Sequence, residues 1–350
     1  MDLKEQPLVS IIIPCYNAEK YIFESVNSAV NQTYGNIEII VVDDGSNDNS
    51  LNEIKKFGDK ITVISIRNGG QSAAENVGLK TAQGTYVKFF DSDDILHPEA
   101  IETQVKQSEL FDFNDKKIVF GYKTDIDEKG NPLSLNVPNN FPETTGSVEL
   151  TYLLITGLIT GTPLHKKYLL DEVGGWDPLC PIMGNDFDLI IRLWGAGVEF
   201  HYYKTHVYFY REYNSVYRSA NVGWTAKDPD LLLYLYNKWE RIIMNRCKFS
   251  TDEIKQILAQ KHIDTGRKLA NCKRNDHASI HFMFARKILE KKTLKLDNHL
   301  KINNKRSVIG SIYLFFGKHF RYTFAENSFS LLKVIRRFSK RCMFYNLQIF

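Results

Sequence analysis

The chain has 350 residues, 43% hydrophobic and 25% charged, which is the balance of an ordinary globular protein and excludes a disordered or low-complexity chain. Its net charge of +4 conceals a division: the first 230 residues carry 20 Lys and Arg against 33 Asp and Glu, and the remaining 120 carry 25 against 8. Five scattered cysteines without a C-x-x-C pair exclude a disulfide framework and a zinc site, and fit a reducing cytosol.

The polar start, Met1 to Gln6, leaves no room for the apolar core of a signal peptide. From Leu8 the chain alternates strands and helices. VSIIIP predicts a strand, Ala18 to Asn31 a helix, IEIIVVDD a second strand, then a helix ending near Phe57 and a third strand, ITVISI. These apolar runs are short and β-branched, as in parallel strands that crossover helices bury on both faces. A helix from Ser72 to Ala82 leads into TYVKFF, which stops at Asp91, Asp93 and Asp94, and Pro98 opens the next helix. KIVFGYKTDI predicts another strand, Gly130 to Gly146 an irregular loop or short hairpin, and GNDFDLIIRLWGAG an amphipathic helix with Arg192 one turn beyond Asp188. Beyond Asp230, apolar residues at helical spacing interleave with Lys and Arg, which predicts an α-helical appendage. Its longest apolar window, Val308 to Gly317, is half of the about 20 residues that a spanning helix needs.

In an open α/β sheet, ligands collect at the carboxyl ends of the strands. Three such ends carry distinctive residues: Pro14-Cys15-Tyr16-Asn17, Asp43-Asp44-Gly45-Ser46 and Asp91-Ser92-Asp93-Asp94. Carboxylates bordering a glycine-permitted turn can accept hydrogen bonds from a base and a ribose, and a further carboxylate can hold a hard divalent cation, Mn²⁺ or Mg²⁺. A nucleoside diphosphate leaves only when its developing charge is neutralised, and Asp93 with Asp91 is the predicted clamp. Gly70 suits a backbone that closely approaches a diphosphate, and equally a plain turn. Asn17 suits a turn and Tyr16 base stacking or packing, while Asp94 suits a helix cap, a brace for Asp93 or, as the lesser reading, a direct metal ligand. Trp176 either lines an acceptor cleft or anchors a loop in the core.

The runs VSIIIPCYNAEKYIFESVNSAVNQTYGNIEIIVVDDGSNDNS and NGGQSAAENVGLKTAQGTYVKFFDSDDILHPEAIE resemble the two opening blocks of glycosyltransferase family 2. EVGGWDP, GNDFDLIIRL and YFYREYNSVYRS are similar to its later blocks in the right order, so the resemblance covers roughly Leu8 to Ser219. It implies a GT-A type, Rossmann-like α/β fold with a mostly parallel central sheet. It further implies that Tyr16 stacks on the base, Asp44 hydrogen-bonds it, Asp91 and Ser92 face the ribose, and Asp93 of the DxD-type motif ligates the metal. Pro14, Asn17 and Gly70 complete the implied nucleotide-sugar site. Asp186 matches the general base that deprotonates the acceptor hydroxyl for inverting transfer, Asn185 and Trp176 fall on the acceptor side, and Arg211 faces the diphosphate. Three positions depart from the family pattern: Glu75 replaces the arginine of Ala-Arg-Asn, Asn185 replaces an acidic neighbour of the base, and Glu212-Tyr213 stand where a histidine often follows the arginine.

The expected organisation is a GT-A domain over residues 1–225, with a donor half of about 1–125 and an acceptor half of about 126–225, then a basic α-helical region over 226–350. The implied activity is transfer from a nucleotide sugar, a UDP-sugar, to a glycan or lipid-linked acceptor in bacterial cell-surface polysaccharide synthesis. The basic region predicts contact with an anionic membrane, hence a peripheral place on the inner face of the cell membrane; no nucleic-acid partner is expected, and an oligomer is compatible with the sequence. Two other readings stay open: a non-catalytic nucleotide-sugar-binding scaffold, which Glu75 and Asn185 favour, and a sugar-phosphate nucleotidyltransferase.

Overall fold

The computed structural model describes residues 6–133, 145–148, 161–180, 185–213 and 229–246, together with Ala259, Gln260, 262–264, Phe282 and Ala285. The chain divides into two compact units, Met1–Val222 with Arg241–Lys248, and Gly223–Glu240 with Phe249–Phe350. Within the second unit, Ala259, Ile263 and Ala285 form a small apolar cluster with Phe282 against them. Most of the expected helical appendage, and residues 134–144 of the loop expected from Gly130 to Gly146, lie outside the described residues.

The first unit opens with β1 (Val9–Cys15), α1 (Ile22–Val30), β2 (Ile37–Asp43), α2 (Ser50–Lys55), β3 (Thr62–Ser65), α3 (Gln71–Thr81) and β4 (Tyr86–Phe89). β5 (Ile95–Leu96), α4 (Ala100–Ser108), β6 (Lys117–Ile126), β7 (Gly146–Ser147) and β8 (Pro163–Lys166) follow. α5 (Lys167–Glu172), α6 (Asn185–Gly195) and β9 (Glu199–Arg211) complete the unit's described elements, and α7 (Pro229–Arg246) comes last. The strands join in the order β3-β2-β1-β4-β8-β6-β9-β5, with β7 paired to β9. β3, β2, β1 and β4 are mutually parallel, β8 runs antiparallel to both β4 and β6, and β6 is parallel to β9.

Alternation along β1 explains the two cores. Val9, Ile11 and Ile13 pack with Ile22, Val26 and Ala29 of α1 on one face, while Ile12 packs with Ala74 and Leu79 of α3 on the other. Each such side chain contributes about 1.5–3 kcal/mol by leaving water, so a continuous apolar run is stable only where helices cover both faces. The second face continues into Leu189, Ile190 and Leu193 of α6, which ties that helix to the same core.

β9 breaks step beside β6. Phe120 is opposite Tyr202, but Tyr122 is opposite His206, so β9 bulges over the residues between. Gly121 permits this, because a Cβ there would lie 2.2 Å from the Thr205 carbonyl oxygen. Beyond the bulge β9 runs past β5, with Ile95 opposite Phe209, and thereby delivers Arg211 to the segment that holds Asp93 and Asp94.

Candidate functional site

Three parallel strands end at one cavity of about 610 Å³, lined by Pro14, Tyr16 and Asn17 after β1, Asp44 after β2, and Asp91, Ser92 and Asp93 after β4. Gly70 and Gln71 add the start of α3, and Lys20, Tyr21, Glu128 and Tyr213 close the rim. Every residue expected at the nucleotide-sugar and metal site therefore lines the same space.

The turn after β1 is built by local hydrogen bonds. Asn17 takes a left-handed φ of 50°, its N–H donates to Ser46 Oγ at 3.0 Å, and its Oδ1 accepts the Asn47 N–H at 2.8 Å. This stitches the β1 and β2 loops together and leaves the Tyr16 ring 37% exposed on the cavity wall, a surface on which a base can stack. Asp44 is nearly buried, and its two carboxylate oxygens accept the Gly69 N–H at 2.7 Å and the Gly70 N–H at 2.9 Å. Burial raises its pKa, partly offset by these two bonds. Gly70, at φ +88°, presents its backbone at the start of α3.

Asp91, Asp93 and Asp94 offer carboxylate oxygens that all lie within 4.8 Å of one another. This hard-oxygen donor set fits Mg²⁺ or Mn²⁺. Asp91 also accepts from Gln71 Nε2 at 3.1 Å, and Asp94 is fully buried and accepts the Arg211 backbone N–H at 2.9 Å. Asp94 thus ties the end of β9 to the acidic segment. Cys15 lines the same cavity, but burial pushes its thiol up to about 12, so it is not a nucleophile.

Asp186 lies in the first turn of α6, where the helix dipole favours its negative charge, and its N–H donates to Asn185 Oδ1 at 3.0 Å. A link to the donor cavity comes through Glu75. That carboxyl is buried and its pKa is raised well above the usual range, first by burial and then by the charges of Asp186 and Asp91. The three carboxyls therefore share one electrostatic neighbourhood. Gln71 Nε2, 3.2 Å from Glu75 Oε1 and 3.1 Å from Asp91, bridges two of them, and the Gln71 and Asn185 side chains pull the Glu75 pKa back only in part.

The Arg211 placement needs correction, and the choice left open for Trp176 falls to the core. Arg211 does not line the cavity: it is 2% exposed, with Nε donating to the Asp93 carbonyl at 2.9 Å, Nη1 to the Glu128 carbonyl at 2.9 Å and Nη2 to Glu24 Oε2 at 2.5 Å. Its guanidinium also sits 4.8 Å from the centre of the Tyr21 ring, so it braces the loops around the site rather than facing a diphosphate. Trp176 is 1% exposed, edge-on to Phe89 at 5.0 Å, with its backbone bonded in both directions to Asn76, and it anchors a loop in the core. Lys20, Tyr21, Glu128 and Tyr213 were not anticipated. Of these, only Tyr213 carried a signal, its place two residues after Arg211 at a departure from the family pattern.

Residues 10–172 match the model of Glycosyl transferase family 2. An uncharacterized glycosyltransferase of Rickettsia conorii is 44% identical over 191 residues, 53% of this chain and 31% of the relative. One from Rickettsia prowazekii is 37% identical over 185 residues, 52% of this chain and 57% of the relative. A chondroitin synthase of Pasteurella multocida is 39% identical over 142 residues, 39% of this chain and 14% of that protein. The chain thus spans from about a third to somewhat over half the length of the Rickettsia relatives it matches. Among solved structures, S. aureus TarS 1-349 in complex with UDP-GlcNAc superposes with a TM-score of 0.58 at 21% identity, covering 83% of this chain and 77% of that one. Residues 10–172 thus match glycosyltransferase family 2, and the fold that carries them is the GT-A type.

Proposed function

We propose that this chain is an inverting, metal-dependent glycosyltransferase that moves a sugar from a UDP-sugar to a hydroxyl of a glycan or lipid-linked acceptor. The observation that carries the reading is the convergence of Asp91, Asp93 and Asp94 oxygens within 4.8 Å, beside a cavity that Tyr16 and Asp44 also line. Support for the donor class comes from structural neighbours solved in complex with UDP and with UDP-GlcNAc.

In this reading Tyr16 stacks on the base, Asp44 holds the Gly69-Gly70 backbone and meets the base edge, and Asp91 and Ser92 face the ribose. Asp93, with Asp91, holds the divalent cation. Such a cation, when bound, neutralises charge on the departing diphosphate. Asp186 accepts the proton of the acceptor hydroxyl as its oxygen bonds to the anomeric carbon, and the diphosphate leaves from the opposite face with the bonding electrons. The configuration inverts in one displacement.

The test incubates the full chain with Mn²⁺ and a panel of nucleotide sugars, measuring diphosphate release with and without glycan and lipid-linked acceptors. Asp186→Asn is expected to keep donor affinity and lose about 10²–10⁴-fold in turnover. An Asp186→Asn enzyme with wild-type turnover refutes the base assignment, and tight donor binding without turnover on any acceptor favours the scaffold reading.

The basic region over 226–350 is the part of the chain proposed to meet an anionic membrane from its inner face, in cell-surface polysaccharide synthesis. No helix among the described residues is long and apolar enough to cross a membrane. Sedimentation with phosphatidylserine vesicles is expected at low salt and to fall as salt rises; unchanged sedimentation across the salt series removes the electrostatic reading.

A further inference from the structure

The end of β9 grips Asp93 at two points. Arg211 Nε donates to its backbone carbonyl at 2.9 Å, and the Tyr213 phenol O–H donates to its Oδ2 at 2.9 Å. The first bond fixes where the residue sits and the second fixes how its carboxylate is turned. The terminal torsion of an aspartate is broad and soft, so the plane of the carboxylate is set by its partners rather than by a rotamer well.

Tyr213 is itself held. It lines the cavity, and its ring packs against Tyr21 with centroids 4.8 Å apart at an interplanar angle of 53°. The Tyr21 hydroxyl in turn donates to Glu128 Oε1 at 3.0 Å, and the Tyr21 ring carries the Arg211 guanidinium on its other contact. A hydroxyl anchored in this way occupies one lone pair of Oδ2. One carboxylate oxygen of Asp93 lies within 4.8 Å of one oxygen each of Asp91 and Asp94, which make up the cluster.

We propose that Tyr213 is a positioning residue for the divalent cation: its phenol orients the Asp93 carboxylate for ligation without itself becoming a ligand. The proposal rests on the reading of Asp93 as a metal ligand. Hydrogen-bond partners that orient a ligating carboxylate are worth about 10–100-fold in metal affinity.

Tyr213→Phe isolates the claim, because it keeps the ring that packs on Tyr21 and removes only the O–H. The measurement is Mn²⁺ binding to the full chain, followed by the electron paramagnetic resonance of hexaaquo Mn²⁺, alone and with UDP present. Thermal melting without metal runs alongside. The expected result is a 10–100-fold weaker Mn²⁺ affinity in Y213F at an unchanged metal-free Tm, with turnover restored by raising Mn²⁺. An unchanged or tighter affinity overturns the proposal, and so does a weakening accompanied by an equal loss of metal-free stability. Asp93→Ala separates the two readings. If the wild type fails to bind Mn²⁺, or Asp93→Ala binds it normally, the metal site itself falls and the Tyr213 role with it. If Asp93→Ala loses binding while Y213F matches the wild type, only the Tyr213 role falls.

Discussion

The two halves of the first unit meet at the same cavity by different means. In the first half, β1, β2 and β4 are parallel and end side by side, so Tyr16, Asp44 and Asp93 reach the cavity directly from the loops that follow their own strands. In the other half the sheet is mixed, and its contribution arrives at the far end of a single bulged strand: Arg211 and Tyr213 reach back across more than a hundred residues of sequence to hold Asp93 and Asp94. In the proposed reading the first half supplies the groups that meet the nucleotide, while the end of β9 supplies groups that hold Asp93 and Asp94 in place. A motif written in contiguous residues belongs to the first kind, while bracing is a property of the assembled sheet.

Three perturbations sharpen this contrast. The largest effect is the loss of turnover stated above for Asp186→Asn, which removes a reacting group and leaves its scaffold standing. Next is Arg211→Met, which keeps the stem and deletes the guanidinium. It removes the guanidinium hydrogen bonds to the part-buried Asp93 and Glu128 carbonyls, worth about 1 kcal/mol each, so urea unfolding should shift to a lower midpoint. Mn²⁺ affinity should fall with it, although Arg211 does not line the cavity; a variant with normal midpoint and normal affinity erases the distinction between the halves.

The smallest effect concerns Glu75, which lies between the halves. Its native pKa is raised above the unfolded 4.5, so the native state holds the proton more tightly, and stability falls as pH rises from 4.5 through the native value. Glu75→Gln cannot lose that proton. It should therefore melt above the wild type at pH 8, with the difference closing as pH approaches 4.5, where the wild type recovers its full stability. A constant difference across that range shows that Glu75 carries its charge at no cost in the folded chain.

Much of the first half was legible in the residues themselves. β1 at Val9–Cys15 and β2 at Ile37–Asp43 follow the apolar runs VSIIIP and IEIIVVDD, and β6 at Lys117–Ile126 coincides with KIVFGYKTDI. A strand buried on both faces has no polar alternation to blur its outline, and a parallel strand must end where the chain turns to its crossover helix. Boundaries were looser for α1: the expected start at Ala18 became Ile22, because Ala18, Glu19 and Lys20 form the turn that the Ser50 hydroxyl and the Asp48 carboxylate hold. β8 and β9 were not anticipated as strands. β8 is only four residues long, and β9, EFHYYKTHVYFYR, mixes aromatic and polar residues because it is half-buried and bulged, so neither a continuous nor an alternating apolar pattern marks it.

For the site, the DSDD run and the loops after β1 and β2 identified the cavity wall, and of the residues expected around the nucleotide only Arg211 lies away from it. The buried cation was harder to read. An arginine following an aromatic strand is equally compatible with facing a diphosphate and with bracing a loop, and only its 2% exposure and its bonds to Asp93, Glu128 and Glu24 decide between them. Trp176 posed the same choice, settled by its contact with Phe89.

By itself, then, the order of residues determined the alternation of strands and helices, the strand ends at which carboxylates gather, and the family they resemble, because periodicity and short motifs are local and survive without a partner. Tertiary structure alone decided that Arg211 and Tyr213 hold Asp93, that Trp176 is core, and that Glu75 shares the electrostatic field of Asp91 and Asp186. Those facts depend on which strand lies beside which, and on how little water reaches each group, and neither quantity exists until the sheet has closed over its cores.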